Sequence, residues 1–185
     1  MRIALCGKMA SGKTTVAEYL EAVNGFERFS LAKAVKEYAN FLFDIPEGHK
    51  DRVAYQKVGD GGRKKLYENL WIDTLLHQVK LSNPKLAVVD DVRYLNEVKI
   101  LQEAGWKIIK IEIDDELQVE RLKKTYPLDW KTHANARTHA SESEVDSITA
   151  EMVDLVINAT DDDTPINLIQ EVVSIHLAEM VESRV

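Results

Sequence analysis

Short, wholly apolar runs alternate along the chain with longer stretches in which apolar residues return at helical spacing, the sequence form of β-α-β units around a mostly parallel sheet. Residues 2–6 (RIALC) predict a first strand apolar enough for burial on both faces, and 13–23 predict the helix that follows it. Residues 26–29 predict a short second strand. Two helices are predicted at 32–42 and 63–79, the second from Leu66, Leu70, Trp71, Thr74, Leu75 and Val79. The polar, Gly-containing stretch 46–62 between them reads as a loop or a loosely packed flap. Further strands are predicted at 86–89, 106–113 and 155–158, and further helices at 96–104, 117–124 and 164–180. The stretch 126–144 is polar and nearly devoid of aliphatic residues, as a mobile flap would be.

Composition narrows this picture. At 185 residues with 45% hydrophobic side chains, the chain fills one ordinary core and not two, so a single domain over 1–185 is expected. A net charge of −7 argues against a protein that grips nucleic acid, which calls for a basic face. A small anionic ligand stays within reach, because a few local charges hold it whatever the net sign. The single cysteine, Cys6, cannot close an internal disulfide and lies in an apolar run, so packing is its expected role. No apolar stretch approaches the roughly 18 residues of a membrane span, and the sequence begins on a strand rather than a charged leader. The expected location is the cytoplasm, with no membrane partner and a homodimer as a possible assembly.

The clearest chemical signal is Gly7-Lys8-Met9-Ala10-Ser11-Gly12-Lys13-Thr14, a complete G-x-x-x-x-G-K-[ST] loop between a predicted strand and a predicted helix. Its glycines allow a tight turn, so that Gly7, Ala10, Ser11, Gly12, Lys13, Thr14 and Thr15 can turn backbone N–H groups and a helix N-terminus toward phosphates. Lys13 adds a point charge at the β- and γ-phosphates, and the Thr14 hydroxyl is a ligand for the Mg²⁺ between them. ATP and Mg²⁺ are the expected cofactors. Such a P-loop needs a carboxylate on a neighbouring strand, and Val88-Val89-Asp90-Asp91 offers two, either of which could serve or could instead cap a helix. Arg93, Asn96 and Glu97 follow at the same strand end, where α/β sheets bind their ligands, and Arg93 can fork onto a phosphate that is not the ATP's own. Beyond Leu117, the residues Arg121, Lys123, Lys124, Lys131 and Arg137 suit a lid that covers the transferring phosphoryl group. Arg121 and Arg137 are the candidate transition-state contacts.

With these residues placed, nearly the whole chain resembles the phage-type deoxynucleoside monophosphate kinases of the P-loop nucleoside monophosphate kinase superfamily. Leu31-Ala32-Lys33-Ala34-Val35-Lys36-Glu37 is similar to that family's segment after the second strand, except that Lys33 stands where Asp is usual. Gln56-Lys57-Val58-Gly59, Arg63 and Trp71 are similar to its acceptor-binding region, and Asp91-Val92-Arg93-Tyr94-Leu95-Asn96-Glu97 to its Asp-Val-Arg-aromatic-x-Asn-Glu motif. His139-Ala140-Ser141-Glu142 resembles the stretch after the lid, and Val156-Ile157-Asn158 the last strand, near whose Asn the family places the adenine. The resemblance implies a P-loop α/β fold with an acceptor-binding flap over about 32–80 and a lid over about 117–144. It implies that Lys36, Arg63, Trp71, Arg93 and Glu97 meet the acceptor, that Asp91 is the carboxylate near magnesium, and that Asn158 lies by the nucleotide base. The implied reaction transfers the γ-phosphoryl group of ATP to a nucleoside or deoxynucleoside monophosphate. Another small-molecule kinase on the same scaffold, such as a dephospho-coenzyme A or phosphomevalonate-type kinase, is the alternative. A nucleotide switch is disfavoured, because no Asn-Lys-x-Asp guanine-reading motif occurs.

Overall fold

The computed structural model describes residues 1–128, 130, 131, 144–161 and 164–182. Five parallel strands, β1 (Arg2–Cys6), β2 (Glu27–Phe29), β3 (Ala87–Val92), β4 (Lys107–Ile113) and β5 (Leu155–Ala159), form one sheet in the order β2-β3-β1-β4-β5. Around it lie α1 (Lys13–Asn24), α2 (Leu31–Phe43), α3 (Arg52–Gly61), α4 (Leu70–Ser82), α5 (Leu95–Glu103), α6 (Asp115–Thr125) and α7 (Thr164–Glu182). Side chains of successive strand residues leave on opposite faces, and both faces are covered, which is why the strands read as continuous apolar runs. Ala4, Cys6, Val89 and Ile108 pack with Trp71, Ile72 and Leu75 of α4 and Leu101 of α5. Ile3, Leu5, Val88 and Ile109 pack with Val16 and Leu20 of α1 and Ile169 of α7. Cys6 is fully buried, and burial pushes its thiol up to about 11, so it packs and does not react at neutral pH.

Two elements depart from the sequence pattern. The stretch expected as a loop over 46–62 contains α3, started by the Asp51 carboxylate, which accepts from the Ala54 N–H at 2.9 Å. The single helix expected over 63–79 is instead a π-helical turn, Gly62–Leu66, followed by α4. Trp71 explains the break. Its indole N–H donates to the Gly59 carbonyl at 2.9 Å, and its ring lies so close to Gly62 that a Cβ there would come within 2.7 Å of it. The chain is thereby clamped at the junction of α3 and α4, and Trp71 itself is 3% exposed.

Candidate active site

The loop Gly7–Thr14 leaves β1 at the sheet's C-terminal edge, where strand order places β3 on one side and β4 on the other. Gly7 has φ +144°, and a side chain there would be driven into the Ile111 carbonyl. Gly12, at φ +106°, starts α1 with no side-chain cap. α3 and α6, by contrast, are each capped by an Asp side chain. The Lys13 ammonium is folded back on the loop, donating to the carbonyls of Gly7 (2.8 Å) and Lys8 (2.6 Å) and reaching the Ser11 hydroxyl at 3.4 Å. A cavity of about 690 Å³ opens over Gly12, Lys13, Thr14 and Thr15 and extends to Asp90, Asp91 and Arg93 past the end of β3 and to Arg121 and Pro165 beyond β4 and β5.

The adjacent aspartates face opposite ways. Asp90 follows Val88 onto the α1 face, where its Oδ2 accepts from the Thr14 hydroxyl at 3.1 Å and from Arg28 of β2 at 2.6 Å. Asp91 lies on the α2 face. Its carboxylate accepts from the N–H groups of Leu31 (2.9 Å) and Ala32 (2.8 Å) and from the Ser30 hydroxyl (2.7 Å), capping α2. Here β3 advances three residues, Val89 to Val92, while β1 advances two, a bulge that fits both aspartates into the strand end. The carboxylate beside Thr14 is therefore Asp90, and the expected magnesium carboxylate, Asp91, is occupied in holding α2. A hydroxyl and a carboxylate at the cavity wall are hard oxygen donors that fit a Mg²⁺ taking its other ligands from water and phosphates. Among the described residues no group of three or more His, Cys, Asp or Glu forms an all-protein cage.

Arg63, which follows the clamp at Gly59, Gly62 and Trp71, does not line this cavity but reaches it through the residues around Arg93. Its guanidinium donates to Glu97 Oε1 at 2.7 Å and lies 4.0 Å over the Tyr94 ring. Glu97 Oε2 accepts from the N–H groups of Arg93 (2.9 Å) and Tyr94 (3.1 Å), closing the start of α5. Burial is the largest influence on Glu97 and holds its carboxyl above the ordinary value despite Arg63 and these N–H groups. Of the expected acceptor contacts, Glu97 is 1% and Trp71 3% exposed, the first bonded to Arg63 and the second to the Gly59 carbonyl. Asn96 is tied to Asn69 at 2.8 Å, joining α5 to the start of α4. Lys36 is exposed on α2, and Asn158 is exposed near the end of β5. Arg121, from α6, donates to the carbonyls of Ala10 (3.1 Å) and Asp161 (2.5 Å), so it buttresses the outer edge of the loop. Arg137 and the 139–142 segment lie outside the described residues. Sequence reasoning missed Arg28, whose signal was its place beside Phe29 in a three-residue strand, a charge facing the α1 side.

No family model and no curated protein matches the chain. Its fold does match solved structures at low identity. A protein from Thermus thermophilus is 20% identical with a TM-score of 0.60, over 96% of this chain and 97% of that one. A shikimate kinase from Bacteroides thetaiotaomicron is 13% identical with a TM-score of 0.56, over 94% and 98%. A shikimate kinase from Acinetobacter baumannii in complex with shikimate is 18% identical with a TM-score of 0.55, over 96% and 93%. The five-stranded parallel sheet with flanking helices is the fold of P-loop kinases.

Proposed function

We propose that the protein transfers the γ-phosphoryl group of ATP to a nucleoside or deoxynucleoside monophosphate. The observation that carries this reading is one continuous cavity with a P-loop and its Thr14–Asp90 pair on one side and Arg93 on the other. In this mechanism the N–H groups at the start of α1 bind the β- and γ-phosphates. Lys13 exchanges its loop carbonyls for phosphate oxygens and neutralises the charge that grows on them. Thr14 and Asp90 hold Mg²⁺, which supplies charge neutralisation and alignment of the phosphates. Arg93 and Arg63 bind and orient the acceptor's phosphate, whose oxygen is already a nucleophile and needs no base. Arg137 remains a candidate for closing contacts over the transferred group, and Asn158 for a contact to the adenine.

The second reading is transfer to a hydroxyl group, favoured by the match to shikimate kinases. A hydroxyl acceptor calls for a general base. The two carboxylates at the end of β3 are poor candidates, since Asp90 is bonded to Arg28 and Thr14 and Asp91 to three donors of α2. A panel of nucleoside and deoxynucleoside monophosphates with ATP and Mg²⁺, read as ADP formed, tests the proposal. Monophosphate-dependent ADP supports it. Turnover only with a non-nucleotide alcohol transfers the case to the second reading. Arg93→Lys keeps charge and loses the fork, so the Michaelis constant for the acceptor is expected to rise about tenfold with that for ATP unchanged.

A further inference from the structure

Arg28 is the only strong cation on β2 among the described residues, and the site described so far assigns it no task. Its guanidinium lies 2.6 Å from Asp90 Oδ2, the same oxygen that accepts the Thr14 hydroxyl, and its other nitrogen lies 3.4 Å from Glu18 Oε1. Thr14 and Glu18 are one helical turn apart on α1, so both face the β2–β3 side of that helix. The two carboxylates differ in burial. Asp90 is 6% exposed and the Glu18 side chain 60%. A buried carboxylate needs a partner, whereas an exposed one does not.

We propose that Arg28 is a built-in counter-cation for the metal side of the site: it neutralises Asp90 in the nucleotide-free protein, admits a divalent cation only together with the nucleotide's phosphates, and then moves onto Glu18. This rests on the reading of Thr14 and Asp90 as the Mg²⁺ ligands of a nucleoside triphosphate site. A bare divalent cation meets one carboxylate already paired with a guanidinium, and a single hydroxyl besides, far short of about six oxygen ligands. Phosphates supply both the missing ligands and the negative charge that offsets Arg28. Glu18 gives the displaced guanidinium a partner already within reach, so no cation is left unpaired.

Mn²⁺ is the probe, titrated into nucleotide-free protein and followed by the loss of the free-ion electron paramagnetic resonance signal. A fluorescent ATP analogue is bound in parallel, with and without Mn²⁺. Removing the guanidinium charge in Arg28→Gln should tighten Mn²⁺ binding by about tenfold or more, while Arg28→Lys, which keeps the charge, stays near wild type. Glu18→Gln should leave bare Mn²⁺ binding unchanged and weaken only the Mn²⁺-dependent gain in nucleotide affinity. That arm stands even if Arg28→Gln does not fold. A role confined to bracing β2 against α1 would move none of these affinities. Nucleotide bound by all variants with Mn²⁺ behaviour equal to wild type overturns this proposal alone. No nucleotide bound by the wild type overturns the reading of the site and this proposal together.

Discussion

Around Lys13 the protein sets its geometry with backbone, while around Arg63 it does so with side chains. The P-loop side consists of two glycines at positive φ, a helix N-terminus without a side-chain cap, and a lysine resting on loop carbonyls. The Arg63 side is a set of side-chain contacts, Trp71 to Gly59, Arg63 to Glu97 and Tyr94, and Glu97 to the N–H groups of Arg93 and Tyr94 just before α5. Backbone geometry is local and survives the loss of a side chain. A side-chain network is cooperative, and removing one buried member leaves others unpaired. The two sides should therefore fail differently, the first in chemistry and the second in stability and positioning.

The largest expected effect is on the Arg63 side. Glu97→Ala leaves Arg63 and two N–H groups without their buried partner and should cost about 3 kcal/mol of stability by denaturant unfolding. The Michaelis constant for the acceptor should rise in whatever folds. If stability is unchanged, the network is not what holds Arg63. Next comes Lys13→Ala, expected to lower turnover about 10²–10³-fold with little change in the circular dichroism spectrum or unfolding midpoint. A large loss of stability there would erase the contrast between the two sides. Asp91→Ala removes the cap of α2 and should cost about 1–2 kcal/mol, with the Mg²⁺ dependence of activity unmoved. A shifted Mg²⁺ dependence would return the metal role to Asp91.

The smallest effect is one of pH. Burial raises the Glu97 carboxyl above its ordinary value of 4.5, so the folded protein binds this proton more tightly than the unfolded chain does. Its contribution to stability is then fullest at and below that value and declines as pH rises through the window above it. The stability difference between wild type and Glu97→Gln should accordingly shift against the wild type between about pH 4 and pH 7. A difference that shifts the other way would mean that Arg63 outweighs burial.

The same division decided what could be read from the sequence. The P-loop was legible because its residues are adjacent and each is needed for a local backbone reason. The strands were legible because burial on both faces leaves an unbroken apolar run. The choice between Asp90 and Asp91 was not, since neighbours on a strand face opposite sides and only strand order says which side α1 covers. Glu97 and Trp71 were expected to touch the acceptor because their motifs surround the site. In the structure Glu97 bonds Arg63 and Trp71 bonds the Gly59 carbonyl, partners distant in sequence that no local pattern reveals. α3 was read as a loop because its glycines outweighed the Asp51 cap, and Gly62 is there to admit the Trp71 ring.

The central claim is transfer of a phosphoryl group onto a phosphate, and phosphorus-31 nuclear magnetic resonance of the reaction tests it most directly. With ATP, Mg²⁺ and the monophosphates together, the γ-resonance of ATP should disappear as the coupled α- and β-resonances of a second nucleoside diphosphate grow in beside those of ADP, with no phosphate monoester formed. A new monoester resonance on a non-nucleotide acceptor, with the nucleoside monophosphates left unchanged, would contradict the account.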